Sequence, residues 1–181
     1  MNELELTLKT NQIVEIYSEF SNKNEEYFSL GYLIAIEDDF STLISINEYG
    51  MIESFQYRKN AFISNIVSST CYLKNFKKII DYNKSINLYD PYSLTKDYEQ
   101  QFQGKDPINE PILVNKQVSI ITTENDFILQ GRIIEKTKES FVLSSSTIDD
   151  LTENQLYEIK HEDIVLIDLL SIDNKLIEQI K

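Results

Sequence analysis

Nucleophilic or metal chemistry in this chain would have to run through one cysteine and one histidine. Cys71 follows Ser69-Thr70, a hydroxyl pair that reads as a helix start, and free N–H groups at a helix start favour a thiolate. Only His161 is on hand as a base, and unpaired cysteine is among the most often buried residue types. The sequence therefore predicts a buried, unreactive thiol. His161 stands beside Lys160, where a phosphate could be met, but Glu162 and Asp163 follow directly and oppose an anion. A single histidine falls short of a zinc site. The acidic runs Glu37-Asp38-Asp39 and Asp149-Asp150 lack the spacing of a calcium loop and fall in turns, where charge is solvated. Four glycines leave no phosphate-cradling loop. These residue types predict a non-enzyme, with no catalytic residue, no metal and no cofactor.

Binding is the remaining chemistry, and it rests on aromatic side chains. Among 11 Tyr and 9 Phe, Phe55 and Tyr57 alternate onto one face of a strand, Tyr49 sits at a hairpin tip, and Tyr98 lies on a linker helix. These four are the candidate partner contacts. The chain carries 17 Lys plus Arg against 30 Asp plus Glu, a net charge of −13, and its only arginines are Arg58 and Arg132. Affinity built on neutralising phosphates is therefore not expected, and tyrosines on an acidic surface suit a protein partner, a basic one in particular. No apolar run approaches a bilayer span, the start Met1-Asn2-Glu3-Leu4-Glu5 carries no export signal, and one cysteine fits a reducing compartment. A cytoplasmic location without membrane contact is expected.

The elements that must position these residues come in two similar sets. At an offset of 101, Phe40-Ser41-Thr42-Leu43 matches Phe141-Val142-Leu143, Ile63 matches Ile164 and Cys71 matches Ile172. Gly31 and Gly131 differ by 100, which places one extra residue in the turn Thr137-Lys138-Glu139-Ser140. Short β-branched and aromatic runs predict strands over 13–20, 30–36, 40–46, 51–57 and 61–67, then 117–122, 127–135, 141–145, 155–159 and 163–169. Their connections are too short for crossover helices, so the sheets must be antiparallel. A helix follows each fifth strand. In the first, Leu73, Phe76, Ile79 and Ile80 form an apolar stripe opposite Lys74, Lys77 and Lys78; the second spans 172–180. Asp90-Pro91 and Gly104 bracket a linker helix over 92–103, on which Leu94, Tyr98 and Phe102 share a face.

The expected architecture is mainly β with a few helices, as two tandem five-stranded antiparallel barrels. Residues 1–88 are the first barrel with its trailing helix, 89–112 the helical linker, and 113–181 the second barrel with its helix. Leu129-Gln130-Gly131-Arg132-Ile133, Phe141-Val142-Leu143 and Lys160-His161 ahead of Ile164 resemble the Sm-like fold, the bacterial Sm-like RNA chaperones especially. Gly31-Tyr32-Leu33, Glu37, Phe40-Ser41 and Tyr57-Arg58-Lys59 before Ile63-Ser64 follow the same order in the first half. The resemblance implies a small Src-homology-3-type barrel in each half. It also implies RNA-contacting turns at Arg58, Lys59, Lys160 and His161.

Composition and resemblance thus lead to two functional expectations. The first is an acidic binding protein acting through protein contacts, as an immunity-type inhibitor, a nucleic-acid mimic or an adaptor, with homo-oligomerisation through open barrel edges as a variant. The second is an Sm-like RNA-binding regulator.

Overall fold

The computed structural model describes residues 3–18, 27–125, 127–147, 149–151 and 155–180; the end of the first expected strand, 19–20, lies outside them. The chain divides into two compact units, Met1–Ser93 and Leu94–Lys181. The first contains α1 (Glu3–Thr10), β1 (Ile13–Ser18), β2 (Tyr27–Ile36), β3 (Phe40–Ile46), β4 (Ile52–Lys59), a 3-10 turn (Asn60–Phe62), β5 (Ile63–Ser68) and α2 (Cys71–Ser85). The second contains α3 (Leu94–Gln101), β6 (Gln117–Thr122), β7 (Leu129–Lys136), β8 (Ser140–Ser145), β9 (Leu156–Lys160), a 3-10 turn (His161–Asp163), β10 (Ile164–Ser171) and α4 (Ile172–Ile180).

Within the first unit the strands run β5-β1-β2-β3-β4, and within the second β10-β6-β7-β8-β9, with every described pairing antiparallel. The central hairpins share one register. Gly31 faces Ser45 and Leu33 faces Leu43 before a bulge; Gly131 faces Ser145 and Ile133 faces Leu143 before a bulge at the same place. Glycine is required at both sites. A Cβ on Gly31 would lie 1.8 Å from the Ile44 carbonyl oxygen, and one on Gly131 2.2 Å from that of Ser144. The close approach and the bulge together bend the hairpin sharply.

The register corrects the sequence alignment. Glu37 donates its N–H to Phe40 across the first turn and Thr137 donates to Ser140 across the second, so the two turns have equal length. Phe40 therefore matches Ser140, and Ser41 matches Phe141. Lys59 faces Phe40 and Lys160 faces Ser140, which places the extra residue between β3 and β4 or their counterparts. Matching aromatic to aromatic slips the two halves by one position, and one position exchanges the faces of a strand.

The helices differ from expectation in two respects. α1 precedes β1, where the sequence predicts none. Leu4 and Leu8, one turn apart, pack against Val14, Ile16, Leu33, Leu43 and Ile66, and Asn11 closes the helix at φ 47°. The linker helix begins two residues late because Asp90-Pro91 makes a turn, with Ser93 at φ 56° donating to the Asp90 carbonyl. This helix, α3, lies within the second unit against β10, with Leu94, Tyr98 and Phe102 buried and Asp97 paired to Lys175 of α4. In α2 the expected cap is present: Thr70 Oγ1 accepts from the Leu73 N–H at 3.1 Å. Cys71, expected to be buried, is exposed, because the helix turns Leu73, Phe76 and Ile80 inward instead.

Candidate functional site

The two basic turns end β4 and β9, and in both the strand geometry draws the key side chain inward. Arg58 pairs with Ser41 across the β3–β4 ladder and is only 3 % exposed. Its guanidinium donates to Ser18 Oγ at 2.9 Å, Ser29 Oγ at 2.5 Å and Gln56 Oε1 at 3.0 Å, and reaches the Ile16 carbonyl at 3.5 Å. A side chain held by so many neutral acceptors is a structural strut inside the unit. Lys59, next along, lies half-buried with its ammonium 5.6 Å from the Phe62 ring centroid.

Lys160 is exposed, whereas His161 turns onto Phe141, with ring centroids 4.5 Å apart. Its Nε2 is buried with no hydrogen-bond partner. Burial, and then the positive charge of Lys136, hold the imidazole below its ordinary pKa; a backbone hydrogen bond at Ser140 and the Asp106 charge oppose them. His161 is thus a neutral packing residue. Of the four residues the RNA reading needs, only Lys59 and Lys160 keep their charge near the surface.

Burial also reorders the aromatic candidates. Phe55 and Tyr57 are 1 % and 2 % exposed, because the face of β4 that carries them is turned into the unit. Tyr57 stacks on Phe40 at 4.5 Å and donates its hydroxyl to Glu37 at 2.6 Å. Tyr98, 8 % exposed, is covered where α3 meets β10. These three are therefore core residues, not partner contacts. Tyr49 is 65 % exposed at the tip of the β3–β4 hairpin.

That tip rests on α2. Gly50, at φ 78°, lies against Ile79 and Asn83, and Asn83 Nδ2 donates to the Tyr49 carbonyl at 2.6 Å. Around this corner Tyr72, Ile79 and Tyr82 of α2 and Ile86 at its C-cap are all exposed. Their spacing of seven, three and four places them in one row beside the buried Leu73, Phe76 and Ile80. The sequence predicts Ile79 in the buried stripe with Leu73, Phe76 and Ile80, but it is exposed and belongs to this second row, which the sequence did not indicate. The spacing was visible, but a helix whose apolar residues cover nearly half its circumference does not by itself reveal which part meets its own unit.

Among the described residues no three of His, Cys, Asp or Glu gather as a metal site, and no helix is long and apolar enough to cross a membrane. Comparison with protein-family models, curated proteins and solved structures finds no match.

Proposed function

We propose that the chain is a non-enzymatic binding protein, built from two Sm-like small barrels, that acts through protein contacts as an inhibitor or adaptor in the cytosol. The strand order of each unit, the glycine and bulge at mid-hairpin and the 3-10 turn before the last strand are what a small curled barrel requires. The helix ahead of β1 also occupies the place where Sm proteins carry one. The observation that carries the functional reading is the inward commitment of Arg58 and His161, set against an exposed row of aromatic and aliphatic side chains on α2. A net charge of −13 adds long-range repulsion of nucleic acid.

The test pairs titration of the whole protein with U-rich and A-rich RNA at physiological salt with purification from its host and mass spectrometry of bound protein and RNA. A reproducible protein partner without enriched RNA is the expected result. Sub-micromolar RNA affinity would replace this reading with the Sm-like RNA-binding one.

A further inference from the structure

We propose that α4 is a latch, a helix that undocks from the second unit as a local event while the strands beneath it stay folded. The inference is independent of what the protein binds and comes from the difference between the two trailing helices. Both start alike: Ser171 Oγ accepts from the Asn174 N–H at 3.1 Å, as Thr70 Oγ1 does from Leu73. Asn174 therefore stands where α2 has Leu73, and Ile177 where α2 has Phe76. The strands change with the helix. The pairings around Gly31 and Gly131 set Gln117, Gln130 and Ser146 in the places of Ile13, Leu30 and Ile46, three buried aliphatic residues of the first unit. Ser119 alone has a polar counterpart, Glu15.

The seat of α4 is consequently polar. Asn174 Oδ1 accepts from Ser119 Oγ at 3.2 Å and from Gln130 Nε2 at 2.9 Å, Glu178 Oε1 accepts from the Gln117 N–H at 3.2 Å, and Lys175 pairs with Asp97 of α3 at 2.5 Å. Ile177 is the one apolar side chain that α4 buries fully, against Leu73, Phe76 and Ile80 on α2. On undocking, water replaces each of these hydrogen bonds, whereas the leucine of α2 would expose apolar surface. Asn174 Nδ2, buried without a partner among the described residues, gains one in water. A nine-residue helix does not persist alone, so release also unwinds it. The sheet is satisfied without the helix: Gln117 Nε2 donates to the Ser146 carbonyl at 2.9 Å, and Ser146 Oγ donates to Gln117 Oε1 at 3.1 Å. Opening bares the Ser119 hydroxyl and the Gln130 amide, and the same paired groups admit one position on return, which makes the latch a two-state element.

The experiment is amide hydrogen exchange on the full chain, followed by mass spectrometry, with each trailing helix compared with the first strand of its own unit. Protection in α4 should be about a hundredfold below that in β6 and insensitive to low urea, the signature of a local opening, while α2 should come within about tenfold of β1. Replacing the polar seat by Ser119→Ala, Gln130→Leu and Asn174→Leu together should raise the protection of α4 relative to β6 by about tenfold. Lys175→Ala, which removes the pair with Asp97 and leaves the core intact, should lower it by about threefold. Exchange of α4 in step with β6 in the natural protein would overturn the proposal, since the helix would then open only with the whole unit. A folded triple variant with an unchanged ratio would overturn it as well, because helix length and not the polar seat would set the opening. Should the triple variant not fold, the natural protein and Lys175→Ala decide, and an unchanged α4 in the latter counts against the latch.

Discussion

The two units fold the same hairpin around exchanged chemistry. On one face of the first unit, Ser41 donates to Asn60 Oδ1 at 2.6 Å, and the neighbouring Arg58 holds Ser18, Ser29 and Gln56. The matching places in the second unit hold Phe141, His161 and Ile159, an aromatic pair beside a buried aliphatic residue. On the opposite face the exchange runs the other way. Phe40 stacks on Tyr57 in the first unit, whereas Ser140 donates to Glu158 at 3.0 Å in the second. Each unit thus keeps one aromatic pair and one hydrogen-bonded pair, on opposite faces. The register is held by features both share, namely the glycine, the bulge and the closed turn. The pairs exchange without moving the register, although the second unit's pair leaves His161 Nε2 buried without a partner.

The shared features should be the most sensitive. Gly31→Ala places a methyl group on a carbonyl oxygen and is expected to destabilise the first unit by about 3 kcal/mol, with Gly131→Ala doing the same to the second. Urea unfolding followed by circular dichroism measures both. A cost below about 1 kcal/mol at either site would mean that its hairpin can open without loss, and the common register would lose its cause. Second in size is Arg58→Met, expected to cost about 2 kcal/mol, since Ser18, Ser29 and Gln56 lose their buried donor together. If Arg58→Met were neutral, the polar inset would be a tolerated accident and the first unit could take the apolar solution of the second.

The sequence made the strands legible because their signal is local: β-branched runs between polar turns specify 40–46 and 117–122 to the residue. What it hid was pairing. Nothing local distinguishes Phe40 matched with Phe141 from Phe40 matched with Ser140, since the turn lengths emerge only when Glu37 and Phe40 are seen to close the ladder. α1 was hidden for a different reason. Leu4-Glu5-Leu6 alternates like a strand, and the helix owes its stability to the core that Leu4 and Leu8 meet. Among the candidate contacts, Tyr49 was legible from its place in a turn. Phe55, Tyr57 and Arg58 were not: alternation puts the first two on one face of β4 and Arg58 on the other, and both faces are covered there.

Smaller effects should follow at the exchanged pairs. Tyr57→Phe keeps the stack on Phe40 and removes the hydroxyl that Glu37 accepts, so a loss of about 1 kcal/mol is expected in the urea midpoint of the first unit. A loss as large as that of Tyr57→Ala would show that the hydrogen bond, and not the ring pair, is what this face needs.

The smallest effect should appear as a pH dependence confined to the second unit. Folded His161 resists protonation because its Nε2 is buried without an acceptor and Lys136 is near, so its pKa lies below the ordinary value of 6.5. The unfolded chain takes up that proton first as the solution is acidified. The unfolded state then binds more protons than the folded one, and stability must rise with pH across the window below 6.5 and fall on acidification. His161→Asn installs the residue that the first unit carries at the equivalent place, Asn60, and removes the titration. Carboxylates that respond to the same acidification are present in both proteins, so the difference between them isolates the imidazole. Between about pH 7.5 and about pH 5.5, on either side of the unfolded histidine's midpoint, the urea midpoint should drop further for the natural protein than for His161→Asn. Equal drops would mean that His161 leaves Phe141 and reaches water when charged. The aromatic pair of the second unit would then be a switchable contact, unlike the neutral Ser41–Asn60 pair that stands in its place in the first.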